Sequence, residues 1–414
     1  PAAEGASPDP EMFRDTPVGI RLLAAIGGMP LQRIFVTDIE RDVYEISIRD
    51  DTRLFLMLDG GWIRSGTRAL PVREIELEWL AGDESSLYRI AKHLCNTFRV
   101  VLGTEGKSNR GLRLADRPIS YLPSEPLPSA RTDRSPGETA VSAFRVLLAR
   151  VAAGHARFFA QPEDPDCLHD LRVDLRRLRS LIALLKPCVE AKQHRAMRRA
   201  VRHLVRPTAS LREADMLADA WQRHRHSSSG VPPAPTRIGR RIVRHRSECA
   251  KHTLRDLNRV RWSRAMLTLS IWASAADSLE KMVLTEADIK ARLAFFWEDL
   301  LRSGRQAGPG CSSDYHRLRV AVKRYRYLSA FFPGFHDGSR LQSGGDGEYL
   351  HTLQDALGDW HDAQVNLDQA CTLLSGLRGA SIFLAWLARE CAQRLEECER
   401  LLEKYLADDR LRSL

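Results

Sequence analysis

Two segments of the chain carry the same pattern of basic residues. Residues 169–179 read HDLRVDLRRLR and residues 316–326 read HRLRVAVKRYR, and the two align without a gap. Histidine stands first in each segment, and arginine or lysine stands at the same four later positions. A match of this kind within one chain indicates two copies of one structural unit. The sequence therefore predicts a duplicated helical fold.

Each copy, placed on an α-helix, separates its charges from its apolar residues. At ~100° per residue, the histidine and three of the cations fall within about an 80° arc, and apolar side chains fall on the arc beside it. These two cationic stripes consist of His169, Arg172, Arg176 and Arg179 in the first copy and His316, Arg319, Lys323 and Arg326 in the second. Like charges three and four residues apart repel by roughly a few tenths of a kcal/mol per pair. Each stripe is therefore unfavourable unless an anion neutralises it.

Three kinds of surroundings could accommodate the stripes: water, acidic side chains of the same chain, or a foreign polyanion. The acidic candidates are Asp355, Asp359 and Asp362, in a C-terminal part that is rich in carboxylates. A polyanion is favoured because acidic partners are missing at helical spacing and because the stripe occurs twice. Arginine forks match phosphate oxygens in a bidentate manner. The first stripe has no aromatic residue for base stacking, and no DNA-reading module is present, so a polymer of phosphate alone fits best.

The overall charge agrees with an anionic partner but does not select one. The net charge is +10 and the isoelectric point is about 9.4. Such a balance permits binding to nucleic acid, to an anionic surface or to a phosphate polymer. The eight cysteines include no CxxC pair, which argues against a zinc cluster or a disulfide framework. No apolar run reaches the ~18 residues that a membrane span needs, and residues 1–13 do not resemble a secretion signal. We therefore expect a cytoplasmic protein without a membrane span.

The period of the apolar residues divides the chain into a β-rich part and an all-α part. Alternation predicts strands over residues 33–48, 52–63 and 72–80, then a helix over 83–98 and a turn and strand over 103–116. Helices are predicted over 139–160, 166–186, 190–221, 235–254, 262–280, 286–303, 312–332, 348–375 and 379–406. The predicted organisation is an extended or disordered N-terminus (1–19), a β-rich domain (20–116), a Pro- and Ser-rich linker (117–138) and a helical domain (139–414), with repeats at about 139–235 and 286–414.

The repeated helix, together with LQDALGDWHDAQV at residues 353–365, resembles the CHAD family, the conserved histidine α-helical domain. Over residues 139–414 the resemblance implies a mainly α fold of two pseudo-symmetric four-helix bundles around a basic pore. It also implies binding of inorganic polyphosphate and association with intracellular polyphosphate granules. The implied ligands are the two cationic stripes and, in addition, Arg202, Arg206, Arg212, Gln354 and His361.

Residues 20–116 resemble part of the CYTH family, the triphosphate tunnel family, through PVREIELEWLAGDESSLYRIAKHL and GTEGKSNRGLRL. That family forms a closed antiparallel barrel that binds a divalent metal and triphosphate. The resemblance implies Glu74, Glu76 and Glu78 as metal-facing carboxylates on one strand face, and Lys107 and Arg110 as triphosphate ligands. The opening Glu-x-Glu-x-Lys motif of the family is missing, and about five strands can be counted where a barrel needs about eight. The three glutamates could equally form a solvated strand face.

The sequence therefore favours a polyphosphate-binding protein that is not an enzyme, has no cofactor and has no specific nucleic-acid partner. One alternative is a metal-dependent inorganic triphosphatase, with magnesium or manganese held by the glutamates of the β-rich domain. A second alternative is an adaptor that docks acidic proteins through the cationic stripes.

Overall fold

The structure is a computed structural model that describes residues 9–48, 51–119, 135–226, 235–275, 284–308, 312–332 and 346–407. Its contacts divide the chain into two compact units. The sheet unit contains the described residues up to Gly82 and those from Gly103 to residue 119. The helical unit contains Asp83–Leu102 and the described residues from 135 onward.

The sheet unit is built on three antiparallel strands in the order β1-β2-β3. Its elements are a 3-10 turn (Pro10–Phe13), α1 (Pro17–Ile26), β1 (Val36–Ile48), β2 (Thr52–Ser65) and β3 (Arg68–Ala81), with α3 (Lys107–Leu114) packed on the strands. The helix between them in sequence, α2 (Ser85–Phe98), belongs to the helical unit. The structure confirms the three predicted strands. Apolar and polar residues alternate along them with a period of two, which matches a strand and not a helix.

The prediction of a turn and strand over residues 103–116 is wrong, because α3 occupies Lys107–Leu114. Gly111, within this helix, lies against the ring of Phe35, and a Cβ atom there would come within 2.4 Å of that ring. The glycine therefore permits close packing of a helix. A short helix also begins at Pro17, where the sequence predicted extended or disordered chain up to residue 19. Most of the predicted linker lies outside the described residues.

The helical unit confirms the mainly α prediction. Besides α2, its described helices are α4 (Pro136–Ala160), α5 (Pro165–Leu184), α6 (Ala191–Val205), α7 (Ala209–His226), α8 (Thr236–Leu257), α9 (Val260–Ser274), α10 (Glu286–Gln306), α11 (Ser312–Phe331), α12 (Asp346–Leu373) and α13 (Ala380–Ala407). The helix predicted over 190–221 is divided into α6 and α7 by a 3-10 turn at Arg206–Thr208, because Pro207 has no N–H for the helical ladder. In the described part of the chain, no helix has the length and apolar character that crossing a bilayer requires.

The apolar arcs of the two repeated helices are buried in one core. On α5 this arc includes Leu171, Leu175 and Leu178, and on α11 it includes Leu318 and Val322, each at most 1% exposed. The same core takes side chains from α4, α6, α9, α10, α12 and α13. Each such side chain contributes about 1.5–3 kcal/mol when it is fully buried. The two helices are therefore fixed by their apolar arcs, and the cationic stripes lie beside a rigid support.

The core can be tested with two valines on α11. Val322 is 0% exposed and Val320, two residues earlier, is 37% exposed. We expect Val322→Ala to lower the free energy of unfolding by about 2 kcal/mol, since it removes two methyl groups and leaves a cavity. Val320→Ala is the matched control and should change it by less than about 0.5 kcal/mol. Urea denaturation followed by circular dichroism measures both, and equal effects would contradict the assigned orientation of α11.

Candidate functional site

The two cationic stripes meet because α5 packs against α11. Arg176 on α5 donates a hydrogen bond from Nε to the hydroxyl of Tyr327 on α11, over 3.4 Å. The charges of Arg176 and Arg319 act on each other and on Lys323. From α7, Arg212 adds a positive charge that acts on Arg172. We call Arg172, Arg176, Arg212, Arg319 and Lys323 the cationic cluster, and all five are partly buried.

Burial and mutual repulsion disfavour the charged forms of these side chains. Burial, followed by the charges of Arg319 and Arg176, lowers the pKa of Lys323 to about 8. Burial, followed by the charges of Arg176 and Arg212, lowers the pKa of Arg172 to about 10. Burial is the largest cause of each shift, and repulsion by the neighbouring cations adds to it. The cluster therefore favours the approach of an anion.

Several polar atoms of the predicted site have no hydrogen-bond partner among the described residues. These are the buried Nε of Arg172, the buried Nε of Arg319 and the buried Oε1 of Gln354. Among the described residues, Arg172 donates one hydrogen bond, from Nη1 to the hydroxyl of Thr208 over 2.7 Å. A buried donor without a partner costs about 1–3 kcal/mol. A ligand that accepts from both Nε–H groups would remove that cost.

The acidic residues of α12 neutralise the cluster only in part. Asp362 lies 3.8 Å from Arg319, at the long end of ion-pair distances. Asp355 pairs with His351 on its own helix over 2.7 Å, although its charge also acts on Lys323. Asp359 pairs with Arg394 of α13 over 3.1 Å. Within the described residues, then, one of the three acids considered from the sequence forms an ion pair with the cluster.

Three histidines surround the cluster and are neutral near pH 7. The rings of His316 and His361 lie 5.2 Å apart. Burial, followed by the charge of Arg319, lowers the pKa of His361 to about 3 and also lowers that of His316. Burial, followed by the charge of Arg212, lowers the pKa of His169. A neutral imidazole still has one N–H to donate, so the histidines can bind phosphate oxygens without adding charge.

The other predicted arginine ligands interact with residues of α6 and α11 outside the cationic cluster, or form no ion pair among the described residues. Arg179 is largely exposed. Burial of part of its side chain, followed by the charges of Arg324 on α11 and of Arg198 and Arg202 on α6, lowers its pKa. After burial, the charge of Arg206 is among those that lower the pKa of His203 on α6. Arg326 forms no ion pair with the residues that the structure describes. The sequence did not predict Thr208 or the bond to Tyr327, since both partners depend on how separate helices meet.

The sheet unit holds a second group of predicted residues, centred on carboxylates of β2 and β3. Asp59, Glu74 and Glu76 each place an oxygen within 4.8 Å of the others. The sequence missed Asp59, although it stands opposite Glu74 in the register of the two strands. Glu78 shares their strand face but is exposed, and it forms no ion pair with described residues. Such carboxylates are the donors that magnesium and manganese prefer.

These carboxylates already bind cations of the chain. Lys107 lies 2.7 Å from Asp59 and 2.9 Å from Glu74, and it also contacts Glu76. Arg41 lies 2.6 Å from Asp59. Its hydrogen bonds lower the pKa of the Asp59 carboxyl. Arg110 pairs with Glu74. The two predicted triphosphate ligands, Lys107 and Arg110, therefore neutralise the predicted metal ligands, and a divalent cation does not fit between these side chains as they are arranged.

Comparison with known proteins bears on the helical unit. The model of the CHAD domain family matches residues 142–371. The CHAD domain from the plant Ricinus communis is a similar solved structure, with a TM-score of 0.57 and 19% identity over 67% of this chain and 95% of that one. PptA from Streptomyces chartreusis is similar with a TM-score of 0.50 and 14% identity, over 68% of this chain and 100% of that one. These structures share the fold, and because the family match spans more than half of the sequence, the chain belongs to the CHAD domain family.

Proposed function

We propose that the chain binds inorganic polyphosphate through the cationic cluster. The observation that carries the proposal is the meeting of five partly buried cations from α5, α7 and α11 with a single carboxylate, Asp362, in ion-pair contact among the described residues. The unpartnered Nε–H groups of Arg172 and Arg319 support it, because they are donors without an acceptor. The family resemblance supports it independently, since it implies polyphosphate as the ligand.

A linear polymer of phosphate matches the chemistry of the cluster better than a nucleic acid does. Guanidinium groups donate in a planar fork to phosphate oxygens, and Lys323 adds a compact charge. The stripe on α5 has no aromatic residue on which a base could stack. On this proposal the cluster is the basic pore of the family, the two repeats form similar bundles around it, and the protein associates with polyphosphate granules in the cytoplasm.

Charge reversal of Arg176 and Lys323 together should abolish the binding of long-chain polyphosphate. Each side chain would lose a charge-assisted contact of about 1.5–3 kcal/mol, so the dissociation constant should rise at least about 100-fold. The control is Arg389→Glu with Arg400→Glu, which changes the net charge equally on exposed positions of α13. Titration of a labelled polyphosphate measures both variants, and circular dichroism checks that helicity is retained.

Three outcomes would contradict this proposal. Equal weakening by the control pair would show that only the net charge matters. Equal competition by double-stranded DNA would indicate a general polyanion surface. Tight binding of an acidic protein without binding of polyphosphate would favour the adaptor.

The affinity should depend on pH through Lys323. Because its pKa in the free protein is lowered to about 8, the side chain is charged below that pH and neutral above it. A bound polyanion stabilises the charged form, so binding takes up a proton and the affinity should fall as the pH rises above 8, by up to about tenfold per pH unit. Lys323→Arg should remove this dependence, since arginine stays charged. Calorimetry in buffers of different ionisation enthalpy measures the proton uptake, and an unchanged profile in Lys323→Arg would contradict the assignment.

The carboxylates of the sheet unit carry the second candidate function, a metal-dependent inorganic triphosphatase. Their mutual distances favour it, and their ion pairs with Lys107, Arg41 and Arg110 oppose it. We therefore expect no release of phosphate from tripolyphosphate with magnesium or manganese above the buffer rate. Release by the unmodified protein that is lost in Glu76→Gln would reverse this conclusion in favour of the enzyme.

A further inference from the structure

A second concentration of positive charge lies where α2, α6 and α9 enclose a groove of about 1060 Å³. That volume is slightly larger than the roughly 300–1,000 Å³ of pockets that hold small ligands. Eight lysine and arginine side chains line it, and none of its described lining residues is acidic. The arginines of this basic groove are Arg99, Arg195, Arg199, Arg259, Arg261 and Arg264.

The charges of the basic groove have few acidic neighbours. Arg195, Arg199 and Arg261 are exposed and form no ion pair with any carboxylate that the structure describes. Arg259 pairs with Asp256 over 2.9 Å. A solvated helix surface normally mixes both signs of charge at neighbouring positions. Here three helices converge, and the charged side chains that they place in the groove are cations. They create a positive potential inside a concave surface, where the field is concentrated.

The interior of the groove also shows this potential. Lys92 of α2 donates from Nζ to the hydroxyl of Thr268 on α9 over 2.8 Å. Burial, followed by the charge of Arg264, lowers the pKa of Lys92. Burial, followed by the charges of Arg261 and Arg199, lowers the pKa of His203. The charges of arginines on α6 and α9 therefore act on two side chains that line the groove, Lys92 and His203.

A chain of interacting cations connects the groove with the helices of the cationic cluster. The charges of Arg202 and Arg206 act on His203, which lines the groove. The charges of Arg202 on α6 and Arg324 on α11 both act on Arg179 of α5. Arg324 is next to Lys323 in sequence, but its side chain pairs with Asp299 of α10 over 3.5 Å. Interacting cations therefore extend from the groove across α6 and α5 as far as Arg324 of α11.

We propose that the basic groove is a second binding site for linear polyphosphate, which takes a further stretch of the chain that the cationic cluster binds. This proposal rests on the proposed function. No phenylalanine, tyrosine or tryptophan lines the groove among the described residues, so it has none of the large aromatic rings on which bases commonly stack. Two sites on one folded unit bind a long polymer more tightly than either site alone, because the second contact becomes intramolecular. The protein therefore prefers long chains to short ones.

The test compares two pairs of neutralising substitutions in the full chain. The groove variant is Arg199→Gln with Arg261→Gln, and the cluster variant is Arg176→Gln with Lys323→Gln. The control is Arg389→Gln with Arg400→Gln, which removes the same net charge from α13. Calorimetry uses tripolyphosphate to count sites and long-chain polyphosphate to measure affinity at two salt concentrations. Circular dichroism and the midpoint of urea unfolding verify folding, and the exposed groove positions should leave both unchanged.

The unmodified protein and the control should bind two equivalents of tripolyphosphate, and the groove and cluster variants one each. The groove variant should also lose roughly tenfold or more in affinity for the long chain. Its dependence on salt should weaken by about two released counterions. Two equivalents and full long-chain affinity in the groove variant would overturn the inference. Unchanged binding by the cluster variant, with loss in the groove variant, would instead reject the cluster and leave the groove as the binding site.

Discussion

Repulsion among partly buried cations is the constraint on which the arrangement of the helical unit depends. After burial, the charges of Arg176 and Arg319 contribute to lowering the pKa values of Arg172 and Lys323. The four side chains remain together because the apolar arcs of α5 and α11 are buried in one core. The core therefore opposes a force that would separate the helices. An anion that enters the cluster reduces this repulsion, so binding and folding stability should be linked.

The same residue types give the opposite electrostatic result in the sheet unit. There Lys107 and Arg41 contact Asp59, Glu74 and Glu76 directly, and each carboxylate has a cation within contact distance. Direct pairing stabilises the charged forms and satisfies their hydrogen-bonding groups. The difference between the two groups therefore comes from the counter-ions. The sheet unit supplies several carboxylates for its cations, whereas among the described residues Asp362 alone forms an ion pair with the cluster.

Periodicity accounts for what the sequence could predict. The apolar arc of α5 and its cationic stripe follow from spacing alone, and the helix begins and ends within two residues of the prediction. Contacts such as those of Arg172 with Thr208 and of Arg176 with Tyr327 could not be predicted, because they depend on how separate helices meet. The basic groove could not be predicted from the sequence for the same reason. Residues 190–206 and 237–264 are visibly basic in sequence, but nothing in them indicates that α2 completes a cavity with them.

The position of α2 determines where the protein can be divided. The chain passes from the sheet unit to the helical unit at Gly82 and returns at Gly103, so the two units are joined by more than one crossing of the chain. Between these points, α2 packs on α9, and the Leu102 amide donates to the Ser263 hydroxyl over 2.8 Å. A fragment that starts at residue 135 would therefore lack part of its own folded body and would uncover a surface of α9. An expression fragment that respects the architecture must retain residues 83–102.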